Sequence, residues 1–258
     1  MNISYKYIML AAACLIAACQ SNDMTDDWKG SSGEAVVKVN ASIAGLRTRT
    51  NAEDNGDEWV NGDKICVTNV SANAIEGKKK ATFIYNGTNK TFTHDGKSYA
   101  VWVDGENTFQ AYYPSNMAYD RFNLDGYQND LKTLREQDWM IASATVAKPE
   151  DNCLNLTFEH QLAKVTVKIT KYNDQFGGQL PTIENPYFPN LCTDDNRIAH
   201  PYVGGKYYED DNNQVVRAYI VADAQNGKHT FTGILPSGKY QEGVAFMKFG
   251  LGTGKVSV

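Results

Sequence analysis

The chain has 258 residues and a formal net charge of −5, enough for one large domain or two small ones. With no basic excess to neutralise a phosphate backbone, it lacks the electrostatic footprint of a nucleic-acid binder. Hydrophobic residues at 42% and charged residues at 21% suit a packed chain and not a disordered one. The 15 Tyr and 10 Phe favour strands over helical bundles.

Lys6 precedes an apolar run from Tyr7 to Ala18. The run is too short to cross a bilayer, which takes about 20 helical residues, and has the length of a secretory signal core. It ends Leu15-Ile16-Ala17-Ala18-Cys19, which resembles a bacterial lipobox. This predicts cleavage after residue 18, lipidation of Cys19 and attachment to the outer membrane through lipid alone. Residues 19–33 are polar, acidic and rich in Gly and Ser. They predict a flexible tether with a reach of roughly 20 Å. The remaining cysteines, Cys66, Cys153 and Cys192, allow at most one intrachain disulfide, so a hydrophobic core must hold the fold.

From Glu34 onward the apolar period is two. Val37, Val39, Ala41 and Ile43 alternate with Lys38, Asn40 and Ser42, the pattern of a half-buried strand. Arg47 and Arg49 follow, then the acidic stretch 51–58 and Trp59 to Val67, with Asn61-Gly62 as a turn signal. Further strands are expected at 81–85, 91–94, 98–103 and 107–113, separated by Asx-Gly pairs. Short strands at this spacing predict an antiparallel sandwich. Residues 128–139 allow a short helix at best. Leu154, Leu156 and Phe158 share one parity, and Val165, Val167 and Ile169 the other. One residue of slip reverses every side chain, so a bulge or corner is expected near 160–163. The texture loosens after Thr170, which sets a domain boundary near 171. Strand patterns return at 215–222, 228–235 and 244–249.

Candidate chemistry is sparse. Gly233 to Lys239 fits G-x-x-x-x-G-K, but a strand-like sequence follows where a P-loop needs a helix. Arg121 to Lys132 has an EF-hand rhythm without the terminal carboxylates that calcium requires. His160 beside an apolar strand reads as a packing histidine. The sequons at Asn69, Asn86, Asn89 and Asn155 read as chance. Trp59, Trp102 and Trp139 sit among strand-like residues and read as core. No pattern calls for a catalytic residue, metal or cofactor.

The order of these segments resembles the fimbrillin family, the subunits of lipoprotein-derived pili. The resemblance spans most of 15–170. It rests on Leu15–Cys19, the first strand ending at Arg47-Thr48-Arg49, Trp59–Val67, Phe109-Gln-Ala-Tyr-Tyr-Pro114, Asp138–Ala142 and Phe158–Val165. It implies an all-β chain of two transthyretin-like β-sandwich domains, here 34–170 and a shorter 171–258, with no enzymatic activity. It also implies proteolysis after Arg47 or Arg49. The strand carrying Val37, Val39, Ala41 and Ile43 is then displaced, and a strand from another fimbrial subunit takes its place. Residues 254–258, with only Val256 and Val258 in alternation, depart from a full donor strand. The role of a stalk, tip or anchor subunit at the cell surface follows, against an alternative of a monomeric lipoprotein binding glycans.

Overall fold

The computed structural model describes residues 33–44, 58–169, 183–189, 198–203, 206–207, 215–217, 219–221, 229–236 and 248–251. The expected features at Cys19, the tether, Arg47, Arg49, Cys192 and the C-terminal residues lie outside these. In chain order the elements are β1 (Lys38–Ile43), β2 (Lys64–Asn69), β3 (Lys80–Asn86), β4 (Thr91–His94), β5 (Glu106–Tyr113), β6 (Phe122–Asp125), α1 (Leu131–Glu136), β7 (Met140–Ala147), β8 (Cys153–His160) and β9 (Leu162–Ile169). They continue as β10 (Ile183–Pro189), β11 (Ile198–Val203), β12 (Lys206–Tyr207), β13 (Val215–Arg217), β14 (Tyr219–Val221), β15 (His229–Pro236) and β16 (Lys248–Leu251). The fold is all-β, as expected. The stretch 98–103 forms isolated bridges at Ala100 and Val101 where a strand was expected.

Seven strands make one sheet in the order β1-β8-β7-β5-β2-β3-β4. Alternation decides its inner face: Ile65, Val67, Phe83, Phe109, Ala111, Leu154, Leu156 and Phe158 form a buried cluster with Val37 and Val39. The sheet curls until its end strands approach, with a ring nitrogen of His94 on β4 at 3.3 Å from the Val37 carbonyl. Turns follow the Asx-Gly code: Gly62 has φ 92° and Gly105 φ 86°, backbone that residues with a Cβ rarely adopt. Most ladders are antiparallel, as the sequence led us to expect. Two depart from that expectation: β1 runs parallel to β8, and β6 parallel to β11. Alternation sets which face is buried, not which way a neighbour runs, so the sequence carries no signal for this.

The parity change after Phe158 coincides with a sheet change. β8 ends at His160, and β9 pairs with β15 in the sheet β14-β15-β9. Its apolar side chains Leu162, Val165, Val167 and Ile169 join a second core with Phe122, Leu124, Leu134, Trp139, Phe231 and Leu235. This second core therefore takes in β6, α1 and β9, which precede residue 171, together with β10 and β15. Gln128, fully buried, locks it: its side chain donates to the Ile234 carbonyl at 3.0 Å and accepts from the Ile234 N–H at 2.7 Å. α1 is short, as expected, and starts at Asp130, whose carboxylate accepts from the Thr133 N–H at 2.9 Å, a normal N-cap.

Candidate functional site: the first-strand slot

β1 lies at the end of the seven-stranded sheet. On one side its even-numbered residues bond to β8: the Lys38 N–H donates to the Asn152 carbonyl at 2.9 Å and the Ala44 N–H to the Phe158 carbonyl at 2.8 Å. The register places Val39 beside Leu154, Ala41 beside Leu156 and Ile43 beside Phe158. These pairs face the first core, where Val37 is 0% and Val39 5% exposed, with Ala41 and Ile43 half-buried against it. On the outer face Asn40 pairs with Asn155, amide to amide at 3.0 Å. The four apolar residues singled out in the sequence thus form one inward row. Fully burying a Val contributes roughly 1.5–3 kcal/mol, so the row holds the strand firmly while the chain stays intact.

The other edge of β1 meets ring nitrogens and a short backbone stretch instead of a full strand. The Val37 N–H donates to the Ala100 carbonyl at 2.9 Å. The His94 ring lies against the Val37 carbonyl, with its other nitrogen 3.2 Å from the Ser98 carbonyl. Desolvation holds the His94 pKa below the usual histidine value, against smaller opposing effects from those two carbonyls. The Trp59 indole N–H donates to the Ala41 carbonyl at 2.9 Å. Its ring meets Phe158, Phe92 and Tyr113 edge-on, at 5.2, 5.3 and 5.6 Å between centroids. Nothing in the sequence around Trp59 signals that it reaches the first strand; it read as a core residue only.

Beyond Ile43 a cleft of about 40 Å³ lies between the two cores, lined by Trp59, Asp63, Tyr113, Arg135 and Lys164 among others. It is far smaller than the hundreds of cubic ångströms that a small-molecule site needs. Asp63 organises its wall. Its carboxylate accepts from the Val60 N–H at 2.7 Å and from the Tyr113 hydroxyl at 3.2 Å, and pairs with Arg135 at 3.3 Å. Burial first, and the Asp63 charge second, push the Tyr113 phenol well above its usual pKa. His160, mostly buried, has Nδ1 2.7 Å from an Asp138 carboxylate oxygen. This is a positioned packing role, as read from sequence.

Other sequence candidates fall in structural places. Gly233 to Pro236 belongs to β15, paired along its length with β9. Asn69 is 1% exposed and donates to the Val101 carbonyl and to Asn107. Trp102 and Trp139 are buried in the two cores. Cys66 is buried and free, whereas Cys153 is disulfide-bonded. Among the described residues no group of three His, Cys, Asp or Glu is placed to hold a metal, and no helix is long and apolar enough to cross a membrane.

Comparison with known proteins places the fold. A putative cell adhesion protein from Bacteroides uniformis has a similar fold, with TM-score 0.53 and 17% identity, over 86% of this chain and 81% of that one. A fimbrial protein from Bacteroides ovatus gives TM-score 0.45 and 19% identity over 84% of this chain and 44% of its own. The fimbrial anchor protein Mfa2 from Porphyromonas gingivalis gives 0.33 and 11% over 81% and 74%. Curated protein sequences give no match. The fimbrillin-like family profile matches residues 48–256, most of the sequence and all of the described elements after β1. The chain belongs to the fimbrillin-like family.

Proposed function

We propose that this protein is a subunit of a cell-surface fimbria, exported as a lipoprotein attached through Cys19. In this reading a protease cuts after Arg47 or Arg49. β1 is released, and a strand of another subunit adds to β8 in its place. The observation that carries the reading is the position of β1. It is an end strand, joined to β8 by one ladder, with its apolar row in the core and only 14 residues, 45–58, between Ala44 and Trp59 in sequence. Strand addition of this kind draws affinity from main-chain hydrogen bonds and register from alternating side-chain pockets. The family match begins at residue 48, after β1. The two cores are the interiors of two sandwich units in this proposal.

Mild digestion with an Arg-specific protease, followed by mass spectrometry, tests the cut. The expected product starts at Thr48 or Thr50, stays folded and takes up a peptide carrying residues 34–46. Resistance of both arginines while other basic sites are cut would sink the proposal, and so would a cut product that unfolds. Lipidation is read separately: Cys19→Ala abolishes acyl labelling and membrane retention.

A further inference from the structure

The edge of β1 that faces away from β8 is closed by the backbone at Ala100 and by two aromatic rings. Val37 and Ala41 lie four residues apart, so their carbonyls leave the strand on the same side. The first meets the His94 ring and the second accepts from the Trp59 indole. An uncovered edge strand would invite further pairing. Trp59 closes this one at Ala41, the third of the four apolar residues in the row. Trp59 follows residues 45–57, so a cut at Arg47 or Arg49 leaves it with the remainder of the chain, still wedged against Phe92, Tyr113 and Phe158. Its donor then points at the carbonyl of whatever strand fills the slot.

We infer that Trp59 is a register-setting residue of the strand slot, reading the main-chain carbonyl that an incoming strand presents at the position of Ala41. This rests on the slot reading above. The occupant it fits is an extended polypeptide running parallel to β8, with apolar residues at the positions of Val37, Val39, Ala41 and Ile43. A strand slipped by one residue turns an N–H and C=O pair toward β8 where Trp59 needs a carbonyl. The slip then loses the indole bond as well as the apolar pockets. Because the contact is to main chain, it rejects a slip of one residue without selecting side chains, and the apolar pockets reject a slip of two.

The test uses the full chain nicked between residues 47 and 57, both pieces present, with labelled peptides 34–46 competing for the slot. One peptide is all-amide. The other carries an ester between Ala41 and Ser42, which weakens the Ala41 carbonyl as an acceptor and removes the Ser42 N–H. In the wild-type protein the ester lowers uptake about tenfold. In W59F, which keeps an aromatic ring but no donor, the ester penalty falls by about threefold, since a neutral hydrogen bond shifts an equilibrium by roughly two- to tenfold. The Ser42 loss is common to both proteins and cancels in the double-mutant cycle. An equal ester penalty in both overturns the role of Trp59 and leaves the slot standing. No uptake of the amide peptide by wild-type protein overturns the slot, and Trp59's role with it. If W59F does not fold, hydrogen exchange of the wild-type indole N–H decides. It slows about tenfold more with the amide peptide than with the ester, and equal protection overturns the inference.

Discussion

Two buried side chains, Asn107 and Tyr113, and the half-buried His94 show how single residues carry this fold. Asn107 is fully buried on β5. Its carbonyl accepts from the Asn69 amide and the Val103 N–H, each at 2.9 Å, and its amide donates to the Val103 and Gly105 carbonyls at 2.9 and 3.1 Å. Asn107→Ala removes the partner of the buried Asn69 amide and of the half-buried Val103 N–H and carbonyl, and is expected to cost about 2 kcal/mol in urea unfolding. Tyr113 gives a pH signature. Its folded pKa is raised, so its contribution is fully present below about pH 10, the ordinary phenol value, and is lost as pH rises above it, because the unfolded state releases the proton first. Tyr113→Phe should flatten the alkaline loss of stability, measured by thermal unfolding from pH 8 to 11. His94 has the opposite shift. With its folded pKa lowered, its contribution is present above about pH 6.5 and fades as pH falls below it, because the unfolded state protonates first. His94→Gln should make stability less sensitive between pH 7 and 5.

At the scale of an element, β1 shows what alternation does and does not encode. Val37, Val39, Ala41 and Ile43 were legible as a buried row because polar residues separate them, and they do face the first core. Val37→Ala should cost about 2 kcal/mol, the transfer of two methyl groups plus the void left behind. Lys38→Ala, one residue along on the exposed face, should stay within about 0.5 kcal/mol. Equal effects at the two positions would mean that the row is not where the parity puts it. The partner of β1 was not legible. Its ladder is with β8, more than a hundred residues later and parallel. Local sequence cannot report that, because either direction buries the same face.

At the scale of the molecule, two cores share one continuous chain. β8 delivers Leu154, Leu156 and Phe158 to the first, and β9, one residue later, delivers Leu162 and Val165 to the second. The Asp63–Arg135 pair ties the wall of the first sheet to α1 of the second core. Gln128 anchors the segment between β6 and α1 to β15. Gln128→Ala leaves the Ile234 N–H and carbonyl buried without that partner and should cost about 2–3 kcal/mol. Amide exchange should then accelerate in β9 and β15 before it does in β2 and β5. Uniform acceleration in both sheets would mean that the cores unfold as one.

The sequence by itself determined the all-β class, most strand positions, the inward row of β1 and the break after Phe158. These follow from period-two alternation and Asx-Gly turns, which act over a few residues. Only the tertiary structure decided the parallel seat of β1 on β8, the recruitment of β6, α1 and β9 into the second core, and the bond from Trp59 to Ala41. Each joins residues that are distant along the chain or separated by a loop. Several pairings bury the same apolar faces, and the choice among them is made by how whole sheets pack and curl, not by any local pattern.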